Sequence, residues 1–225
     1  MVLTKKSIMG DVARKAAEIT KKMEYCFPDY RRLADSGSIN LFTLLYYHEL
    51  QHRPFDSRWE GRDRVVTTKG PQTASQCAVL AEMEYFGWNQ ANTLLSRIYG
   101  GDQNLIVDTP GADIIASSPD MAMTIANGIA LWARTIQAEF KVYAVLDSLS
   151  EARFLEIIYS TALAQLQNIV TVLRIPQGHY RGDIIHNWFT LGWHIEEADF
   201  QDMESIFHAF SGASKMRGKP TVLIG

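Results

Sequence analysis

Asp147 and Ser148 are the residues of this sequence best placed to do chemistry. They end an apolar run, Val142 to Leu146, and precede Phe154, Ile157, Ile158 and Leu163, which recur at helical spacing. A short continuous apolar run suits a strand covered on both faces of a parallel sheet. The turn after such a strand lies at the carboxyl edge of the sheet, where doubly wound folds bind ligands. The chemistry open to the site is what a carboxylate, a hydroxyl and their spatial neighbours can hold. Ser148, His179 and Asp183 could make a Ser-His-Asp set, but no Gly-x-Ser-x-Gly elbow surrounds Ser148. His48 and His52 are four apart and can share a helix face, as metal-binding pairs do. The pair lacks a third ligand at the spacing of a metal site.

These residues need elements to position them. Ser7 to about Tyr25 reads as a helix, with Ile8, Val12, Ala16, Ile19 and Met23 on one face. Asn40 or Ser38 is expected to cap a second helix, LFTLLYYHEL. Val65 and Val66 form a short strand, Thr73 to Tyr85 a helix of small residues, and Asn89 to Tyr99 another. Gly100 to Pro119 reads as a long loop, and loops of that length in compact domains are more often functional than idle. The helix from Asp120 carries Gly128 in mid-course, which close helix packing would explain. Asn168 to Ile175 is a second buried strand, Asp183 to Leu191 a helix, and His194 to Ala198 an edge or exposed strand. Asp202 opens a helix, and TVLIG is the last strand. Strands alternating with helices give an α/β, doubly wound, mainly parallel sheet in a single domain over 1–225.

The totals narrow the function classes. The chain has 225 residues, 47% of them hydrophobic, which allows one large domain with a substantial core. A net charge of -3 gives no electrostatic footprint for nucleic acid. Cys26 and Cys77 are too few for a disulfide framework and read as core or near-core thiols. No apolar run approaches the roughly 20 residues of a membrane span, and the first residues lack an apolar export core. A cytoplasmic location is the expectation.

Seven phrases in order carry a resemblance: GRDRVVTTKG at Gly61–Gly70, AVLAEMEYFG at Ala78–Gly87, TPGAD at Thr109–Asp113, ANGIALWAR at Ala126–Arg134, VYAVLDSLSEA at Val142–Ala152, FTLGWHIEEADFQDMESI at Phe189–Ile206 and GKPTVLI at Gly218–Ile224. Together they resemble the N-terminal, diphosphate-binding half of transketolases, from about residue 8 onward. The resemblance implies thiamine diphosphate, Mg or another divalent ion, and transfer of a two-carbon ketol unit. It implies Asp147, Ser148, Gln177 and His179 as cofactor contacts. Asp147 and the Gln177 amide oxygen would be metal ligands, with the His179 carbonyl as a third. In that family the aminopyrimidine and its activating Glu lie on a second domain. A homodimer, a separate pyrimidine-binding partner subunit, or both are therefore expected.

The sequence departs from the family at chemical positions. Where the family has Gly-Asp-Gly, this chain has Leu146, Asp147 and Ser148, losing glycines that let backbone amides approach a diphosphate. The family's histidines are replaced in LADSGSIN, in Lys69-Gly70-Pro71 and in Gly100-Gly101-Asp102. The Gly-rich turn before the long helix reads Ala116 to Met121 and gains Asp120, which repels a diphosphate. The expected proton-transfer groups are absent from these motifs. Three readings stay open. One is a degenerate, pseudoenzyme-like supporting subunit of a split complex. The second is an active split transferase with altered cofactor contacts. The third is a thiamine-independent enzyme using the old cleft, where Asp102, Asp120, Asp147, Gln177 and His179 remain polar.

Overall fold

The computed structural model describes residues 5–30, 34–100, 109–147, 151–175 and 181–225. Six strands form one parallel sheet: β1 (Arg64–Thr68), β2 (Ile114–Ala116), β3 (Val142–Leu146), β4 (Ile169–Leu173), β5 (His194–Glu197) and β6 (Thr221–Ile224). Their order is β2-β1-β3-β4-β6-β5. Every residue of β3 and β4 is buried, as expected when helices cover both faces of a parallel sheet. Edge strand β5 is half-buried and polar, matching its expected place.

Two helical layers cover the sheet. One contains α1 (Lys5–Cys26), α2 (Ser36–Leu44), α3 (Gln72–Glu82), α4 (Trp88–Tyr99) and α8 (Met203–Lys215). The other contains α5 (Pro119–Thr135), α6 (Glu151–Leu163) and α7 (Arg181–Thr190). In α1, Val12, Ala16, Ile19 and Met23 are buried, the stripe its periodicity implies. The second layer is pinned by aromatics. Trp188 of α7 meets Trp193 edge-on at 4.5 Å and Phe154 of α6 at 5.7 Å, and Trp193 Nε1 donates to the Ile158 carbonyl at 2.8 Å.

Four local expectations need correction. The stretch read as a loop over Gly100–Pro119 contains β2, which pairs with β1 through Val66 and Ile114, Thr67 and Ile115, and Thr68 and Ala116. Three residues are too few to show a period. The cap of α2 is Asp35 rather than Ser38 or Asn40: its Oδ1 accepts from the Ser38 N–H at 2.9 Å and its Oδ2 from the Ser38 hydroxyl at 2.8 Å. Helix α3 spans Gln72–Glu82 rather than reaching Tyr85, and its small residues are buried from Gln72 to Ala81 in the internal core.

Gly128 is the fourth. It is exposed, and a Cβ there would meet nothing within 4 Å, so packing inside the chain is not its reason. Gly128→Ala is expected to stabilise the isolated chain by about 0.5–1 kcal/mol, the helix-propensity difference. Urea melts of the two proteins measure it, and a destabilised variant would reveal an unseen constraint at that turn.

Candidate functional site

The carboxyl ends of β1 and β3 lie side by side, with Thr67 opposite Val145 in the register. After β1 the chain turns into α3 on one face of the sheet, and after β3 it continues to α6 on the other. Neighbouring strands whose connections diverge in this way leave a crevice at the topological switch point, where α/β sheets bind ligands. Asp147 stands at this crevice.

The β1 side is a tight polar turn. The Thr73 N–H donates to the Gly70 carbonyl at 3.0 Å, and the Gly70 N–H donates to Thr73 Oγ1 at 3.2 Å. The Tyr99 hydroxyl also donates to the Gly70 carbonyl, at 2.8 Å, and burial pushes its pKa up to about 12. Gln72 is fully buried and its amide donates to the Thr68 carbonyl and hydroxyl at 3.1 and 2.8 Å. That hydroxyl also accepts from the Asp147 N–H at 3.3 Å, joining β1 to β3. Gly70 leaves room for this carboxylate: a Cβ there would stand 2.1 Å from Asp147 Oδ2, and the side chain would have to shift.

Asp147 is held under electrostatic strain. Its Oδ2 and the Oε1 of Gln72 are both buried without a hydrogen-bond partner among the described residues. They lie 2.1 and 2.9 Å from the point where a Gly70 Cβ would sit, so they border the same small space. Burial pushes the Asp147 carboxyl up to about 6. Arg174 opposes the shift, the neighbouring Asp35 adds to it, and the Gln72 N–H opposes it. The described partners of Asp147 lie across the crevice.

Arg174 is the neighbour in question. Leu146 and Leu173 are in register as the last residues of β3 and β4, so Asp147 and Arg174 leave adjacent strands together. One nitrogen, Arg174 Nη1, lies 3.0 Å from Asp35 Oδ2 and 3.7 Å from Asp147 Oδ1, and it donates to Ser38 Oγ. Burial raises the Asp35 carboxyl, but Arg174 and the Ser38 donors outweigh it and hold the group below its usual value. The start of α2 is itself tied to the loop after β5: Asn40 donates to the Phe200 and Gln201 carbonyls at 3.3 Å. Beside Arg174 a cleft of about 590 Å³ opens, bordered by Glu197, Asp199, Gln201, Ser205 and Gly225.

Of the residues singled out from sequence, Asp147 is placed at the crevice. Ser148, Gln177 and His179 lie outside the described residues, as does Asp102, and the Asp183 side chain is likewise not described. Asp120 stands in the first turn of α5, after the Ser118 cap. The histidine pair separates: His52 bonds the Tyr85 hydroxyl at 2.5 Å and the Tyr46 carbonyl at 2.6 Å, whereas His48 packs on Phe207. His194 pairs with Glu196 at 2.8 Å, and His186 is exposed.

Arg174, Asp35 and Gln72 were missed in the sequence reading. A signal for Arg174 was present, since VYAVL and IVTVL are five-residue buried strands followed by residues of opposite charge.

Where the resemblance implies a divalent ion, the described residues place Asp147 beside an arginine. Oxygens of Asp147, Asp35 and Ser38 face one guanidinium nitrogen. No group of three or more His, Cys, Asp or Glu able to hold a metal occurs among the described residues. Leu146 is fully buried where a backbone approach would need glycine. No helix among the described residues is long and apolar enough to cross a membrane.

No protein-family model matches the chain. It is 24% identical over 206 residues to an uncharacterized transketolase family protein of Sinorhizobium fredii, covering 84% of this chain and 72% of that one. It is 22% identical over 205 residues to a protein of Phocaeicola vulgatus named as one of the subunits of apulose-4-phosphate transketolase, with the same shares covered. The transketolase of Pichia stipitis superposes with a TM-score of 0.66 at 21% identity, over 84% of this chain and 35% of that one. The chain is thus similar to transketolase family proteins, including one whose enzyme is divided between chains. Its fold is the thiamine diphosphate-binding fold of transketolases, and it spans about a third of the solved enzyme.

Proposed function

We propose that this chain is the diphosphate-side subunit of a split transketolase-type assembly, completed by a separate pyrimidine-binding subunit. In this reading its own cofactor end is degenerate, and it supports the partner rather than performing ordinary ketol transfer. The ion pairing of Arg174 with Asp147 and Asp35 carries the reading, because it sets a fixed cation at the sheet edge where metal and diphosphate would bind. The absence of histidine from the family's Lys-Gly-His position, occupied by Pro71, supports it. The likeness to the Phocaeicola vulgatus protein supports a two-chain assembly.

The helix layer of α5, α6 and α7 supports a partner as well. Leu131 and Trp132 on α5, Ile136 just past its end, Tyr159 and Leu163 on α6, and Phe189 on α7 are between 45% and 71% exposed. Apolar side chains left exposed together mark an interaction surface. Gly128 lies on the exposed side of α5, where its missing side chain permits close approach of another chain.

Calorimetric titration of thiamine diphosphate with Mg²⁺ tests the proposal, first on the chain alone and then with any co-purifying partner. No saturable heat at millimolar cofactor is expected from the chain alone while circular dichroism shows it folded. Saturable binding that Asp147→Ala abolishes would overturn the degenerate reading in favour of an active split enzyme. That second reading is favoured by one observation: Asp147 Oδ2 and Gln72 Oε1 lack donors that a bound ligand would supply.

A further inference from the structure

We infer that Arg174 is a built-in replacement for a divalent cation: its Nη1, set among oxygens of Asp35, Asp147 and Ser38, closes this sheet edge to metal. The inference deepens the degenerate reading above by naming the residue that enforces it.

Three oxygens from two chain segments converge on one nitrogen. Asp35 and Ser38 come from the start of α2, and Asp147 from the end of β3. Hard divalent ions take this class of ligand, two carboxylates and a neutral oxygen, with further ligands from water or carbonyls. A guanidinium differs in two ways. It brings one positive charge instead of two, and it is covalently fixed, so it cannot be competed away by mass action. With both carboxylates ionised, the set carries one net negative charge, and Asp147 Oδ2 is buried without a hydrogen-bond partner among the described residues. A divalent ion that took Asp35 and Asp147 together could enter only by displacing Arg174 from both carboxylates.

Arg174 is also placed by its strand rather than by chance rotamers. Its N–H donates to the Leu146 carbonyl at 3.0 Å, continuing the β3–β4 ladder one residue beyond the strand. Its side chain is 23% exposed, and those of Asp35 and Asp147 are 38% and 19% exposed, so the cluster is only partly screened by solvent. Arg174 is a positioning residue; it holds two carboxylates and excludes an ion, and carries out no reaction step.

Mn²⁺ serves as the probe, with free ion measured by electron paramagnetic resonance on the full chain alone. Wild type is expected to bind no Mn²⁺ at millimolar concentration in a manner sensitive to Asp147→Ala. Arg174→Gln keeps much of the side-chain shape and removes the charge. It should create a saturable site, with affinity about ten-fold or more above wild type. Adding Asp147→Ala to Arg174→Gln should abolish that site, and Arg174→Lys, which restores a cation, should not create it.

Wild-type binding lost in Asp147→Ala overturns the inference. So does a folded Arg174→Gln protein that binds no more Mn²⁺ than wild type. If Arg174→Gln does not fold, Arg174→Lys paired with Asp35→Asn decides the matter. Removing one carboxylate from the lysine protein should leave Mn²⁺ unbound, and a gain of binding there overturns the inference. Partner association is measured by co-expression and co-purification, so failure here and failure of the split-assembly reading are distinguishable.

Discussion

Replacing Asp147 by Asn stabilises the chain by about 2–3 kcal/mol near pH 8 and by almost nothing near pH 4. The carboxyl is pushed from 3.8 to about 6, by burial first, with Arg174 opposing and Asp35 adding. The folded-state pKa lies above the unfolded one, so the fold prefers the neutral form. Its contribution is favourable below the unfolded value and is lost as pH rises toward the folded value. Wild-type stability should therefore fall between about pH 4 and pH 6 from this group and then level off. An Asn is neutral throughout and removes that slope. Its amide can also donate to Gln72 Oε1, which has no partner among the described residues of the wild type. Arg174 keeps Asp35 at 3.0 Å, so the variant does not strand the guanidinium. Tyr99, which Asp147 also influences, is pushed up to about 12 by burial and does not ionise in this range. Urea denaturation of both proteins across the range measures the effect. A difference that is equal at both ends, or absent at the high end, would show that the buried charge is not its source.

Asp113→Ala is expected to cost about 3–5 kcal/mol, the penalty for breaking a buried charge network from one side. Asp113 is 11% exposed and serves several donors. Its oxygens lie 2.6 and 2.9 Å from the two terminal nitrogens of Arg62, its Oδ2 accepts from the Val65 N–H at 2.8 Å, and Arg64 Nε is 3.7 Å away. Burial alone would lower the pKa of Arg62, yet the bond to Asp113 raises it. The truncation would leave two guanidinium groups, 21% and 12% exposed, without this carboxylate. It would also untie the entry to β2 from β1, since the Asp113 N–H donates to the Val65 carbonyl at 3.1 Å alongside the side-chain bond. Equilibrium denaturation gives the cost. Adding Arg62→Met should recover part of it, because the stranded charge is then removed. A loss below about 1 kcal/mol would mean solvent already screens the network.

The buried strands were legible because burial on both faces leaves a local signature. VYAVL and IVTVL are apolar runs of strand length, and both became central strands. The amphipathic stripe of α1 and the acidic cap of α8 at Asp202 were legible for similar reasons, since each is written within a few consecutive residues. Strand β2 was not legible. Its three residues gain their strand conformation from pairing with β1 and from Asp113, about fifty residues from its partners. The reason for Gly128 was misread because sequence tells that a helix lacks a side chain, but not which way that position faces.

By itself the sequence determined the α/β alternation, the likeness to transketolases, and the position of Asp147 at the end of a buried strand. It also determined which glycines and histidines are missing, because absence of a residue type needs no fold. Tertiary structure alone decided what Asp147 faces. Asp35 and Arg174 are separated by more than half the chain, and each alone is an ordinary charged residue. Strand register brings Arg174 beside Asp147, and the capped start of α2 brings Asp35 and Ser38 to the same nitrogen. A pKa, an ion's exclusion and a carboxylate's strain depend on distances of a few ångströms between such groups. Chain order does not carry those distances; packing sets them.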